Sequence, residues 1–181
     1  MKLILLTHER EYERVTNTGV LVSRRYPELS SRVLWQRKQP NAHLIELIDA
    51  GRVGLLYPSS DANVIQVPAF AEGDNDGLAL ASVVSGGQES ALPEVMILLD
   101  ATWQEAAKMY RQSAYLQALP AFVLEHEMQS AYVRRRNQKA GGLCTLECAA
   151  ALLTCAGELD KAQCLLEDLE AHNQRQFDTY V

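Results

Sequence analysis

Apolar residues along this chain fall into short runs that stop abruptly at polar groups. Leu3 to Leu6, Arg32 to Trp35, Val53 to Leu56, Val64 to Val67, Val95 to Leu99 and Ala121 to Leu124 have strand length. Between several of them lie segments with apolar residues at helical spacing, and this alternation predicts an α/β fold with a parallel sheet flanked by helices. Val95 to Leu99 is apolar at five consecutive positions, as expected of a strand buried on both faces. It ends at Asp100, whose carboxylate can accept hydrogen bonds from the first free amides of a helix. An Ala-rich run follows, with Trp103, Ala107, Tyr110 and Ala114 at helical spacing on one face. Ligands in open α/β sheets bind at the carboxyl ends of central strands, so Asp100, Thr102 and Trp103 are expected at the mouth of a crevice.

The remaining segments fill in the alternation. Thr16-Asn17-Thr18-Gly19 is a turn and helix-start signal before Val20, Leu21 and Val22. Asn41 can cap a short helix whose Leu44, Leu47 and Ile48 face the core before Gly51 ends it. Val53 to Leu56 runs into Tyr57-Pro58-Ser59-Ser60-Asp61, where Pro58 forces a turn and the polar side chains stand at a strand end. Positions 69 to 93 are rich in Gly, Ser and acidic residues and read as an excursion within one domain spanning 1–181, with a helix turn within Leu78 to Val84. Gly141-Gly142 permits close approach to a ligand, and Thr145 opens a long Ala- and Leu-rich helix with free amides at its start. A final helix from about Asp160 to near Tyr180 carries Leu165, Leu166, Leu169 and Phe177 toward the body.

At 181 residues the chain suffices for one substantial core. No apolar run reaches membrane length and no secretory leader is evident, so a soluble, cytoplasmic protein is expected. Cys144, Cys148, Cys155 and Cys164 match no common zinc spacing and are expected as reduced thiols without metal. The net charge of −6 opposes a whole-surface attraction to nucleic acid, but the positive charge is uneven. Arg24, Arg25, Arg32, Arg37 and Lys38 cluster early, and Arg134, Arg135, Arg136 and Lys139 cluster late. Tyr132 beside three arginines can stack on a base while they grip phosphates, although a solvated charge run accounts for the same residues.

Four stretches, LLTHEREYERVTNTGVL, LLYPSSDA, ILLDATWQEAAKM and YVRRRNQKAGGLCTLECAAALL, together closely resemble the DTW-domain proteins, the tRNA-uridine aminocarboxypropyltransferases. Asp100-Ala101-Thr102-Trp103 is the Asp-x-Thr-Trp signature of that family. The resemblance implies a SPOUT-like parallel-sheet fold with helices on its faces and a C-terminal trefoil knot. It also implies transfer of the 3-amino-3-carboxypropyl group of S-adenosylmethionine to N3 of a tRNA uridine, releasing methylthioadenosine.

On this resemblance Tyr57, Pro58, Ser59, Leu99, Asp100, Thr102, Trp103, Leu143, Thr145 and Glu147 are expected around S-adenosylmethionine. Arg24, Arg25, Tyr132, Arg134 and Arg136 are the expected tRNA contacts. Asp100, the expected catalytic residue, either anchors the cofactor or takes the N3 proton, and Glu147 bonds either a backbone amide or the substrate. Many members begin with a cysteine cluster suited to zinc, whereas this sequence starts at the first strand, and Cys144 stands where a serine is common. The competing readings are a SPOUT-type methyltransferase, an rRNA aminocarboxypropyltransferase and a non-catalytic RNA-binding module. Thr102, rather than Ser, favours the tRNA branch over the rRNA one.

Overall fold

A computed structural model describes residues 1–68, 83–85, 88–126, 129–132 and 142–178. In chain order the elements are β1 (Lys2–Thr7), α1 (Glu9–Tyr12), α2 (Gly19–Arg25), β2 (Ser30–Leu34), α3 (Ala42–Asp49), β3 (Val53–Leu56), β4 (Asn63–Gln66), β5 (Val83–Ser85) and β6 (Gln88–Ser90). They continue with β7 (Val95–Asp100), α4 (Trp103–Arg111), α5 (Ala114–Gln117), β8 (Ala121–Glu125), α6 (Thr145–Cys155) and α7 (Leu159–Asp178). The sheet order is β2-β1-β7-β3-β8-β4-β5-β6. The first six of these strands are mutually parallel, and β5 and β6 extend the edge as antiparallel strands.

The five-residue apolar run lies in the middle of that parallel set, with β1 on one side and β3 on the other. Its side chains alternate between two cores, which is why no polar residue interrupts it. Met96 and Leu98 join Leu3, Leu5 and Val22 against α6 and α7. Val95 and Ile97 join Ile4, Leu6 and Leu44 against Ala106 and Met109 of α4 and Leu116 of α5. Helix α6 is buried at every position from Thr145 to Cys155 except Cys148, consistent with its lack of a polar face. The β1–β7 register pairs Thr7 with Asp100, so both strands deliver a polar side chain to the same carboxyl-terminal edge.

Several expectations hold in detail. Asn41 caps α3, its side chain accepting from the Leu44 amide at 3.1 Å, and Gly51 follows with φ of 78°, a left-handed conformation suited to glycine. All six strand segments expected from the sequence are strands of the parallel set.

Two local expectations are corrected. Asp100 does not cap the next helix, because strand pairing continues through it. Thr102 is the cap: its Oγ1 accepts from the Glu105 amide at 3.3 Å, and Glu105 accepts from the Thr102 amide at 3.1 Å, a reciprocal capping box. Burial works against the Glu105 carboxylate, but its bonds from Thr102 hold it below the ordinary carboxylate range. The run after Trp103 is also not one helix. It breaks before Ser113, and Ala114 begins the separate α5. Within α4 the deeply buried residues are Ala106 and Met109, while Trp103, Ala107 and Tyr110 are half-buried beside them.

The strands β5 and β6 were not anticipated, and residues 69–82, including most of the suggested helix turn, lie outside the described residues. The expected knot turns on a chain path that includes residues 133–141, which also lie outside them.

Candidate functional site

The carboxyl ends of β1, β3, β7 and β8 converge on one edge of the sheet, and two arrangements of side chains occupy it. The first is an apolar cavity of about 160 Å³, open at its mouth. Leu56, Tyr57 and Pro58 wall it from the end of β3, and Leu98, Leu99, Ala101 and Trp103 from the step between β7 and α4. Phe122 to Leu124 and His126 contribute from β8, and Gly142, Leu143, Thr145 and Cys148 from the start of α6. Tyr57 is fixed by stacking on Tyr110, with ring centroids 4.1 Å apart and planes inclined at 18°. The volume is below the roughly 300 Å³ at which small-molecule pockets begin, so an occupant of nucleoside size extends out through the mouth.

The second arrangement is a polar cluster around Asp100, which is 2% exposed. Its Oδ2 accepts from Thr7 Oγ1 at 3.0 Å and from Asn17 Nδ2 at 2.9 Å, and Oδ1 accepts from Thr145 Oγ1 at 2.9 Å. Arg32 Nη2 lies 3.9 Å from Oδ2. A buried carboxyl group is tolerated when its polar atoms are met in this way. The cluster draws on β1, the loop before α2, β2, β7 and α6, so one side chain ties five separate pieces of chain together. Gly19 completes the enclosure, since a Cβ there would stand 2.7 Å from the carboxyl carbon and both oxygens.

Asp100 is not among the residues lining the cavity, but Thr145 belongs to both arrangements. The carboxylate therefore stands one hydrogen bond behind the cavity wall. Its oxygens already accept from Thr7, Asn17 and Thr145, and Thr145 stands between them and the cavity.

Of the other residues expected around a cofactor, Tyr57, Pro58, Leu99, Trp103, Leu143 and Thr145 line the cavity together. Thr102 is exposed and occupied as the α4 cap. Ser59 turns away to donate to Asp61 Oδ1 at 2.7 Å, a bond that holds Asp61 below the ordinary carboxylate range. Glu147, also 2% exposed, accepts from Ser130 Oγ, from the Ala131 amide and from the Cys144 amide, at 2.7, 2.7 and 2.6 Å. Those bonds fasten residues 130–131 to the start of α6, and Glu147 does not line the cavity.

Among the expected RNA contacts, Arg24 is exposed on α2, and Arg25 is exposed beside Asp168 of α7 at 3.7 Å. Tyr132 is buried, its hydroxyl donating to the Thr16 carbonyl at 2.8 Å. Arg134 and Arg136 lie outside the described residues. The four cysteines are free thiols, and among the described residues no group of three potential ligands is arranged to hold a metal ion.

Sequence reasoning missed His126. It follows directly on β8, and its Nδ1 is buried without a hydrogen-bond partner among the described residues. The signal was available, because a polar residue just past a parallel strand occupies the same kind of position as Asp100. Asn17 has a second role that its place in a turn does not disclose. Its Oδ1 accepts from the Val20 amide at 2.9 Å, as the turn requires, and its amide group also reaches Asp100.

The fold and this edge define an α/β protein whose six parallel strands end at an open apolar cavity. The DTW domain model matches residues 1–177, and the chain belongs to that family. It is similar to tRNA-uridine aminocarboxypropyltransferase 2 of Drosophila melanogaster, 29% identical over 156 residues that make up 84% of this chain and 55% of that protein. The chain thus spans about half the length of that relative. No solved structure gives a significant match.

Proposed function

We propose that the protein is a tRNA-uridine aminocarboxypropyltransferase. In this reading it joins the 3-amino-3-carboxypropyl group of S-adenosylmethionine to N3 of a tRNA uridine. A bond forms from N3 to the methylene carbon, the carbon–sulfur bond breaks, and methylthioadenosine and the N3 proton leave. The supporting observation is that Trp103 of the Asp-x-Thr-Trp signature and Thr145 wall one cavity, with the signature carboxylate of Asp100 bonded directly behind Thr145. Membership of the DTW family and the likeness to the Drosophila protein point the same way.

The residues present suit S-adenosylmethionine. Tyr57, Leu99, Trp103 and Leu143 supply an apolar and aromatic surface for a nucleoside, and the His126 imidazole stands among them. S-adenosylmethionine supplies an electrophilic carbon attached to a sulfonium. The part of the chain is to orient that carbon toward N3 in preference to the methyl group, which is a task of position. Thr145 commits its hydroxyl proton to Asp100 and so meets an occupant as a hydrogen-bond acceptor. It can accept a hydrogen bond either from the ammonium group of the donor molecule or from the imide N–H of uracil. Asp100 in this account is a positioning residue that fixes Thr145 and places negative charge behind it.

The test is incubation of the purified protein with tRNA and S-adenosylmethionine, followed by mass spectrometry of nucleosides and small products. The reading requires aminocarboxypropyl-uridine together with methylthioadenosine. Release of S-adenosylhomocysteine with a methylated base would replace it with methyl transfer.

A further inference from the structure

Beside the apolar cavity, on the other side of the first turn of α4, lies a polar groove of about 700 Å³. Its cationic walls are Arg10, Arg37, Lys38 and Lys108, exposed side chains that make no ion pair among the described residues. Among the described residues of the groove only Glu9 and Glu105 oppose them, and Glu105 is engaged by Thr102. A local excess of positive charge in a chain of net charge −6 marks a side that a polyanion can approach.

The groove also holds aromatic surface. His8 and Trp35 stack, with centroids 5.6 Å apart and planes inclined at 21°, and the indole is anchored by donating from Nε1 to Ser113 Oγ at 2.9 Å. Unpaired cations flanking a rigid half-buried indole are the combination that holds a single-stranded nucleic acid, by phosphate contacts and base stacking. The groove and the cavity are joined through sequence-adjacent residues: Trp103 lines the cavity, while Gln104 and Glu105 line the groove.

We infer that this groove carries the RNA backbone next to the target uridine, with Arg37 and Lys38 on its phosphates, and that the uridine crosses the first turn of α4 into the cavity. The inference rests on the proposed transfer to RNA and adds to it where the acceptor lies. A base removed from its stack needs its neighbours held, and among the described residues this groove meets the cavity with free positive charge.

The experiment compares the wild-type protein with Arg37→Ala/Lys38→Ala and with Arg52→Ala. Arg52 pairs with Glu94 before β3 and β7, at the opposite edge of the sheet, and controls for loss of charge alone. tRNA binding is measured across a salt series, and product formation across tRNA concentration. Loss of two phosphate contacts should lower the slope of log affinity against log salt by about 1 to 2. The KM for tRNA should rise at least tenfold with kcat and S-adenosylmethionine affinity retained, while Arg52→Ala behaves as wild type.

An unchanged slope and KM in the double variant overturns the groove, as does an equal loss in Arg52→Ala. A wild-type protein that binds tRNA through these residues yet forms no aminocarboxypropyl-uridine leaves the groove standing and removes the proposed reaction. Absence of tRNA binding in the wild type removes both.

Discussion

Gly19 and the Asp100 carboxylate are fitted to one another: any side chain at position 19 would begin 2.7 Å from the carboxyl group. The glycine opens α2, and its bareness lets that helix close over a side chain that is 2% exposed. Replacing it with alanine leaves the backbone acceptable but drives a methyl group into a charge with nowhere to move. Gly19→Ala should therefore destabilise the fold by ~1 to 3 kcal/mol, the usual cost of overpacking, and lower transfer activity further by tilting Asp100 off Thr145. Thermal unfolding and product formation, measured together, check this. Wild-type melting with full activity would show that α2 yields easily.

If Asp100 acts through Thr145, removing either partner should do the same damage. Asp100→Asn keeps the shape but puts an NH2 group either where Thr7 and Asn17 donate or where Thr145 does, leaving buried donors unmet at about 1 to 3 kcal/mol. Thr145→Val keeps the volume and deletes the hydroxyl. Each should reduce kcat strongly, and the double variant should be no slower than the worse single one, since coupled residues are not additive. Independent, multiplicative losses would mean that Asp100 reaches the substrate by another route. Calorimetry with S-adenosylmethionine adds a second readout: Thr145→Val should weaken binding if the hydroxyl meets the donor, and leave it intact if it meets the uracil.

The parallel sheet was legible because five apolar residues in succession suit a strand covered on both faces, and Asp100 was legible as a polar residue at the end of that run. The direction of its side chain was not. Counting in twos from Met96 and Leu98 places Asp100 on the α6 face, but only the register with Thr7 shows that pairing persists to the last residue. A strand one residue shorter would have turned the carboxylate toward α4 as a cap. Thr145 stood out as a residue near a helix start, and its actual importance comes from a contact across 45 positions that no local pattern encodes. Glu147 shows the converse: its reciprocal bond to the Cys144 amide is a capping-box signal readable from spacing, and its further bonds to Ser130 and Ala131 follow from the chain's return path.

His126 lines the cavity, and its buried Nδ1 has no hydrogen-bond partner among the described residues, a state that is costly unless a ligand draws the imidazole round to meet it. His126→Ala should weaken S-adenosylmethionine binding by about tenfold, the equivalent of one hydrogen bond of roughly 1 to 1.5 kcal/mol. The melting temperature without ligand should hold or rise, because the substitution removes an unmet group. Titration calorimetry and thermal shift check the two halves separately. Unchanged binding would place the donor molecule away from the end of β8.

The thiols of α6 make the fold sensitive to alkaline pH. Burial pushes the Cys155 thiol up to about 11 from its ordinary 9.0, and burial together with the neighbouring Glu147 carboxylate pushes Cys144 higher still. In the unfolded chain both thiols lose their protons near pH 9, whereas the folded chain retains them, so it binds more protons across this interval. Stability must then fall as pH rises from about 9 toward about 11, and is unaffected by these groups below that window. Lysines, arginines and tyrosines also titrate at high pH, so the comparison is with Cys155→Ala, which loses one such thiol. Its melting temperature should start lower, because α6 packs tightly there, but decline less steeply between about pH 8.5 and 10.5. At about pH 8 the same reasoning predicts that iodoacetamide modifies neither Cys144 nor Cys155 until the protein is denatured, and intact-mass spectrometry reads that directly. Rapid alkylation of either residue in the folded protein would mean that α6 opens far more readily than its burial indicates.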